Sequence, residues 1–236
     1  MWGRLGAGGA RLPDIIESGV DGLPVTIDRP DAARLPLHSR TPIEWGRAVL
    51  AEPLRLLTDH AFLEKKAATN AMELLTRWPN DWLDGWVEAM TAVARDEAAH
   101  LAQVTRILLA RGGRLDRHHK NPYANGLRQL VRKGEPTELL DRLLVAALIE
   151  ARSAERFGVL AAASDDLELA AFYRMLFTSE LGHYRVFLRL ARGFTDEAVL
   201  DARWQEMLDA EAGILAEQEP GPRIHSGLPR EGAALR

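Results

Sequence analysis

The sequence predicts an all-α protein, and three observations support this fold class. Apolar residues recur at helical spacings from Thr41 to about Glu217, no alternating apolar and polar run is long enough to indicate a strand, and recognisable helix caps divide the stretch. The chain has 236 residues, of which 47% are hydrophobic and 27% charged, which is ordinary for a protein with a sizeable buried core. We therefore expect helices packed on helices.

Five helices have recognisable ends. Thr41, Pro42 and Glu44 form a capping box that opens a helix running to about residue 77, and Pro53 inside it should kink the helix or split off its first turns. The other four are predicted from Asn80 or Asp81 to Gly112, from near Pro136 to about Ala162, from the cap Ser164 to Gly193, and from Thr195 to just before Pro220.

The loop lengths predict how these helices are connected. The first and second helices, and the third and fourth, are joined by only a few residues, so each pair should be an antiparallel hairpin. A crossover of about 20 residues, 112–135, joins the hairpins, which is the connectivity of a ferritin-like four-helix bundle. We predict this bundle, with an additional C-terminal helix, over residues 41–218, between an irregular N-terminal arm (1–40) and an extended C-terminal tail (219–236).

The composition excludes several classes of protein. Cysteine is absent, so the chain holds no disulfide, thiolate zinc site or iron–sulfur cluster of its own. The longest uninterrupted apolar run has seven residues (Leu143–Ile149), and no signal peptide is evident, so we expect a cytoplasmic protein that does not bind membranes. A net charge of −4 excludes nucleic-acid binding through bulk positive charge, although a local basic patch is compatible with it.

Ionisable side chains lie on helix faces that should be buried. The chain contains two Glu-x-x-His motifs, Glu97–His100 and Glu180–His183. In each motif the carboxylate and the imidazole lie on one face of the helix, because a spacing of three rotates a side chain by about 300°. The first and third helices each add one glutamate, Glu64 and Glu150, in a stripe of apolar and small residues.

These residues match in depth along the bundle. Glu64 lies 15 residues before the first turn and Glu97 lies 18 after it, while Glu150 lies 13 before the second turn and Glu180 lies 17 after it. At ~1.5 Å per residue the members of each pair differ in level by only ~5–6 Å. All six side chains can therefore converge at one level.

Four buried carboxylates need compensating charge, because desolvation costs several kcal/mol per ion. Two divalent cations would neutralise them, and oxygen ligands with two imidazoles suit iron or manganese. One glutamate from each of two helices plus Glu-x-x-His from the other two is the di-iron carboxylate arrangement of such bundles. We predict a site for two iron ions, with manganese possible, held by Glu64, Glu97, His100, Glu150, Glu180 and His183.

Two neighbouring residues are assigned supporting roles. His60, one turn before Glu64, could be an extra ligand, but a role behind the ligands, with Asp59 as its partner, is favoured. Glu155 lies well around the helix from Glu150 and should form an ion pair with an adjacent arginine.

The crossover is strongly basic. Residues 111–134 hold seven basic side chains and one acidic one, with His118, His119 and Tyr123 interleaved. Such a segment could hold nucleic-acid phosphates and stack a base, and a solvated loop that balances acidic helices explains the charge equally well. The candidate nucleic-acid contacts are Arg114, Arg117, Lys120, Arg128, Arg132 and Lys133.

The residues around the predicted metal site favour oxidation of a bulky substrate. Alanines and Ser153 flank the ligands and leave space beside the metals, and a chain without cysteine must receive electrons from a partner protein. Di-iron bundles also include iron stores, so a ferritin-like iron-binding or storage protein, or an oxygenase of a small hydrophobic substrate, remains an alternative.

Four segments and a late tripeptide resemble a known family. DHAFLEKKAA (59–68), ARDEAAH (94–100), ALIEARSAERF (147–157) and FTSELGH (177–183), with His225-Ser226-Gly227, resemble the bacterial tRNA-(2-methylthio-N6-isopentenyladenosine) hydroxylases, over roughly residues 40–228. The resemblance places that family's iron ligands on the same six residues. It implies an O2-dependent di-iron monooxygenase that hydroxylates the isopentenyl group of the modified adenosine next to the anticodon of tRNA. O2 would be the co-substrate and a reductase or ferredoxin the electron donor, and we expect a monomer.

Overall fold

The structure, a computed structural model, describes residues 35–79, 85–193 and 195–229. The helices in these ranges are α1 (Ile43–Leu50), α2 (Pro53–Arg77), α3 (Trp86–Ala110), α4 (Pro122–Gln129), α5 (Thr137–Ala163), α6 (Leu167–Arg192) and α7 (Glu197–Ala216), and no strand occurs among them. The all-α prediction is confirmed. The four long helices α2, α3, α5 and α6 form the bundle, in which α2 packs on α3 and α5 packs on α6. The predicted N-terminal arm falls mostly outside the described residues, since these begin at Leu35.

The predicted split at Pro53 is confirmed, whereas two predicted helix caps need correction. Pro53 divides the first predicted helix into α1 and α2, because a proline cannot donate the helical hydrogen bond and suits the first position of a new helix. Thr41 does not cap α1 as predicted, since its N–H and hydroxyl both donate to the Glu155 carboxylate, at 2.6 Å each. Asp166, and not Ser164, caps α6, with its Oδ1 accepting the Leu169 N–H at 3.1 Å. The predicted start of the second helix, at residues 80–81, lies outside the described residues.

The basic crossover contains a short helix, α4, that the sequence analysis did not predict. The Asn121 side chain caps it by accepting the Ala124 N–H at 3.1 Å, and Pro122 occupies its first turn. Its residues Tyr123 and Leu127 are completely buried, and α4 packs against α5 and α7. With only eight residues, α4 shows too little periodicity to be recognised in the sequence.

Buried ion pairs fasten α5 to its surroundings. The Arg152 guanidinium donates to Glu211 of α7 at 2.9 Å and to Glu155 at 3.2 Å, which confirms the predicted ion pair of Glu155. Tyr123 donates to the same Glu211 at 2.9 Å, so α4 shares this network. Because every charge in the network is hydrogen-bonded, it joins three helices without leaving an unpaired ion.

The end of the chain packs onto the bundle. Ile224, His225 and Ser226 are buried. The Trp45 indole N–H donates to the Ser226 hydroxyl at 3.0 Å, and Arg156 donates to the Ser226 carbonyl at 3.1 Å. The segment predicted as an extended tail therefore forms part of the core as far as the structure describes it. None of the helices in the described ranges is long and apolar enough to cross a membrane.

Asp141 ties the crossover and α7 to α5. Its carboxylate is completely buried and accepts side-chain hydrogen bonds from Arg132 at 2.8 and 2.9 Å and from Arg203 at 3.0 Å. Although burial opposes ionisation, these hydrogen bonds lower the pKa of Asp141. Arg132, one of the candidate nucleic-acid contacts, is thus held by a structural ion pair.

Replacing Asp141 with alanine should lower the free energy of unfolding by about 3 kcal/mol, because two arginines would lose the carboxylate that joins them. Urea denaturation followed by circular dichroism measures the change. The control is Asp165→Ala at an exposed position, which should change the stability by less than about 0.5 kcal/mol. Equal effects of the two substitutions would show that the Asp141 network does not stabilise the fold.

Candidate metal centre

The six predicted ligands come together in the middle of the bundle. Each long helix contributes at least one of them, and every one is at most 6% exposed. They are Glu64 from α2, Glu97 and His100 from α3, Glu150 from α5, and Glu180 and His183 from α6.

The cluster consists of two groups that share two carboxylates. One group is Glu64, Glu97, His100 and Glu180, and the other is Glu97, Glu150, Glu180 and His183; within each, one ligand atom per residue lies within 4.8 Å of all the others. Glu97 and Glu180 belong to both groups. The arrangement therefore offers two neighbouring cation positions, each with one imidazole and one carboxylate of its own and two carboxylates between them.

Several buried atoms of the cluster lack a hydrogen bond. Glu97 Oε1, His100 Nδ1, Glu180 Oε1 and His183 Nδ1 have no hydrogen-bond partner of acceptable geometry among the described residues. His100 Nδ1 nevertheless lies 3.4 Å from Glu180, and His183 Nδ1 lies 2.7 Å from Glu97. Buried polar atoms without partners are costly, and cations at the two positions would satisfy them. Carboxylate oxygens with two imidazole nitrogens are a donor set that fits iron or manganese.

In the protein alone, burial and neighbouring charges shift the pKa values of the cluster. Burial, followed by the charges of Glu180 and Glu64, raises the pKa of Glu97 to about 8. Although burial opposes the charged imidazolium, the nearby carboxylates of Glu180 and its neighbours raise the pKa of His100 to about 12 and that of His183 to about 10. The cluster is thus electrostatically suited to positive charge, and bound cations would displace these protons, because ligands must be deprotonated.

His60 supports a ligand, but through a different contact from the one predicted. Its Nε2 lies 2.5 Å from Glu64 Oε1, and its ring is buried among three aromatic rings with centroids 4.9–5.6 Å away. Burial lowers the pKa of His60 to about 4, so a neutral imidazole donates to the Glu64 carboxylate and fixes its orientation. The predicted pairing with Asp59 is wrong, because Asp59 accepts from His119 and from the Ile224 N–H instead.

A cavity leads from the protein surface to the cluster. Its empty volume is about 860 Å³ including the open mouth, and four of the candidate ligands line its inner end. Its walls are mainly apolar and include Leu63, Ala67, Val145, Ala146 and Ile149. The small residues Ala67 and Ala146 leave the space beside the ligands that the sequence analysis expected. A cavity of this size with apolar walls and a reactive inner end is typical of a substrate pocket.

His225 reaches this cavity from the far end of the chain. Its Nε2 lies 3.3 Å from the Ser153 hydroxyl, and its ring stacks on Tyr123 with centroids 4.5 Å apart. Burial lowers the pKa of His225 far below its usual value, so the ring is neutral. The sequence analysis missed His225 as a cavity residue, and the only signal that pointed to it was the resemblance of the segment around it.

The candidate nucleic-acid contacts are spread over the crossover. Arg128 lies at the cavity mouth, where Lys66 of α2 and Arg142 of α5 join it, and neither of these two was predicted. Arg132 is engaged by Asp141. The remaining four are exposed on the crossover: Arg114, Arg117, Lys120 and Lys133.

Known proteins resemble this chain over most of its length. Residues 32–226 match the family model described as MiaE, tRNA-(MS[2]IO[6]A)-hydroxylase. A Pseudomonas putida tRNA 2-(methylsulfanyl)-N(6)-isopentenyladenosine(37) hydroxylase is 42% identical over 82% of this chain and 93% of its own length. A Salmonella typhimurium protein of the same name is 31% identical over 83% and 89%. Among solved structures, a Synechococcus protein described as having aldehyde deformylating oxygenase activity is 34% identical, with a TM-score of 0.77, over 83% of this chain and 98% of that one. The similarity extends to the helical bundle as a whole, which confirms the predicted fold class.

Removing a shared carboxylate should disturb the metal content more than removing an unshared one. We expect two ions per chain in the unmodified protein, close to none in Glu180→Ala and about one in Glu64→Ala, because Glu180 belongs to both groups and Glu64 to one. The proteins would be loaded anaerobically with Fe(II) and analysed by mass spectrometry of the bound metal.

The matched control for these variants is Glu88→Ala, which removes an exposed glutamate of α3 and should retain both ions. Retention of two ions by Glu180→Ala would contradict the sharing of that carboxylate.

Proposed function

Because this chain belongs to the MiaE family of tRNA hydroxylases, we propose that it hydroxylates the isopentenyl group of 2-methylthio-N6-isopentenyladenosine next to the anticodon of tRNA. The observation that carries the proposal is the apolar cavity whose inner end is the carboxylate and histidine cluster. An isopentenyl group is apolar and its C–H bonds are unreactive, so it needs both a dry pocket and a strong oxidant at the end of that pocket.

The six clustered residues are the proposed ligands of two iron ions, with manganese as the alternative. Bound iron with O2 and electrons would supply the oxidising chemistry. Glu97 and Glu180 would be shared by the two ions, and Glu64, oriented by His60, would bind one of them. The protein would also fix the depth of the site, since α2 and α5 carry Glu64 and Glu150 as well as most of the apolar cavity wall.

The cavity walls would place the reacting carbon and exclude water. Leu63, Val145 and Ile149 provide apolar surface for the isopentenyl chain, and Ala67 leaves room for it beside Glu64. Excluding water protects a reactive oxidant from side reactions. The adenine ring would lie nearer the mouth, where polar and cationic side chains begin.

The charge distribution supports a polyanionic substrate. The net charge of the chain is −4, yet Lys66, Arg128 and Arg142 surround the mouth of the cavity. Cations at this point would attract phosphates, whereas a free lipid or aldehyde would gain nothing from them. Family membership likewise favours a tRNA hydroxylase over an iron store or an oxygenase of small hydrophobic substrates.

The electron donor, location and assembly complete the proposal. A chain without cysteine needs an external reductant, for which we propose a reductase or ferredoxin. A tRNA substrate favours a cytoplasmic location, and every proposed ligand comes from one chain, so a monomer is sufficient for activity.

Iron-loaded protein should add one oxygen atom to the modified nucleoside. The assay would combine the protein with O2, a chemical or enzymatic reductant and tRNA that carries the prenylated base, followed by digestion and mass spectrometry of the nucleosides. A long-chain aldehyde serves as a parallel substrate, because one structural relative is named for such activity. Conversion of the aldehyde with no gain of oxygen on the tRNA would refute the proposal.

Narrowing the cavity should reduce turnover without removing the metal. Ala67→Leu adds three carbons to the cavity wall and should lower kcat/KM for tRNA by about tenfold or more, because overpacking a fitted pocket costs about 1–3 kcal/mol. Ala68→Leu on the adjacent, non-lining position is the matched control and should change kcat/KM by less than about twofold. Metal analysis of both variants separates a blocked pocket from a lost cofactor, and equal kinetics would count against this cavity as the substrate pocket.

A further inference from the structure

A second cavity adjoins the mouth of the first. It is lined by Phe62, Lys65, Thr69, Glu73 and His119, together with Lys66, Asn70 and Arg128, and the last three also line the cavity that leads to the cluster. The two cavities therefore meet at one short wall. Two of the three side chains in that wall are cations.

Lys66 is held at this wall by a chain of hydrogen bonds. Its Nζ lies 2.8 Å from His119 Nδ1, and His119 Nε2 lies 2.7 Å from Asp59 Oδ1. The other oxygen of Asp59 accepts the Ile224 N–H at 2.9 Å. His119 and Asp59 are 9% and 8% exposed, so the ammonium donates to a buried imidazole that in turn donates to a buried carboxylate. The hydrogen bond to His119 therefore fixes the position of the Lys66 ammonium, unlike that of an ordinary surface lysine.

Lys66 and Arg128 line the same wall, and neither has an acidic partner within salt-bridge distance among the described residues. Burial, followed by the charge of Arg128, lowers the pKa of Lys66, which indicates that the two cations are close. Within the described ranges neither forms a salt bridge with an aspartate or glutamate, whereas Arg142 at the same mouth is paired with Glu138 at 3.0 Å. Like charges held together at a surface favour an anion, and phosphate is the anion that two such donors suit.

An aromatic ring forms part of the second cavity. Phe62 is partly exposed there, and its inner face stacks on the His119 ring with centroids 4.9 Å apart and planes 3° from parallel. Because Asp59 fixes His119, the Phe62 ring is held in place as well. A rigid, partly exposed ring beside a cation pair is the combination that single-stranded nucleic-acid sites use for a base and its phosphate.

We propose that Lys66 and Arg128 bind the phosphate that links the target nucleotide to its neighbour, while the neighbour's base stacks on Phe62 in the second cavity. The inference rests on the proposed function, since it assumes that the modified base enters the first cavity. In this proposal the protein recognises two adjacent nucleotides, with one base on each side of the phosphate that links them. Asp59 and His119 position Lys66.

The first test is binding, which does not depend on turnover. The probe is a 5′-fluorescein-labelled anticodon stem-loop RNA that carries the prenylated base, and anisotropy gives its Kd at several salt concentrations. Lys66→Ala and Arg128→Ala should each reduce the slope of log Kd against log salt by about 0.7–1, and Phe62→Ala should raise Kd by about tenfold. Lys66→Arg should retain the slope, and Arg174→Ala, which removes an exposed arginine of α6, is the matched control.

The second test compares two substrates of different size. The ratio of kcat/KM for a trinucleotide centred on the modified base to kcat/KM for the free modified nucleoside should be large in the unmodified protein, and about tenfold smaller in Lys66→Ala and in Phe62→Ala. Circular dichroism and metal content show whether each variant is folded and loaded.

The outcomes separate the inference from the proposed function. Metal-loaded unmodified protein that adds no oxygen to the prenylated base, even in tRNA, would refute the function. Hydroxylation of both substrates would refute the phosphate and stacking site alone if the substrate ratios of Lys66→Ala and Phe62→Ala, the salt slope of Lys66→Ala and the Kd of Phe62→Ala all equal those of Arg174→Ala.

Discussion

The burial of four carboxylates at one level of a helical bundle is the constraint on which the rest of the structure depends. Glutamates in an apolar interior are tolerated only where positive charge meets them, and here two histidines on the same two helices as the shared glutamates complete two groups suited to cations. The helix pairing and the short hairpin loops bring the four carboxylates to one level of the bundle, and the small residues beside the ligands leave space there. A shift of α3 or α6 by a single turn would move its shared carboxylate by about 5.4 Å and break both groups, whereas the same shift of α2 or α5 would break one.

The sequence predicted the parts of the site that follow helical periodicity. Glu64 and Glu150, with the two Glu-x-x-His words, could be found because their spacing and depth repeat within single helices. The contacts that could not be predicted join segments remote in the chain, such as His119 with Asp59, 60 residues apart, and Ile224 with Asp59, 165 apart. No local pattern encodes such a pairing. For the same reason the partner of His60 was assigned wrongly, since His119 and Ile224 take both oxygens of Asp59.

The two ends of the cavity that leads to the cluster carry opposite charges. The inner end is built from the four long helices, and the outer end is lined by side chains of α2, of the crossover with α4, and of α5. Carboxylates therefore lie at the inner end of the cavity and cations at its outer end, and the apolar wall separates these two sets of charges. Such a gradient favours a substrate that is itself hydrophobic at one end and anionic at the other.

The position of His225 has a consequence for the timing of biosynthesis. This residue lines one side of the cavity and the neighbouring Ile224 N–H donates to Asp59, yet both residues are translated after every helix of the bundle. When the four long helices have been translated, that side of the cavity still lacks a wall. Premature termination just before this segment would remove His225 from the cavity and the contacts of Ser226 with Trp45 and Arg156, so the last translated part of the described chain completes both the pocket and the core.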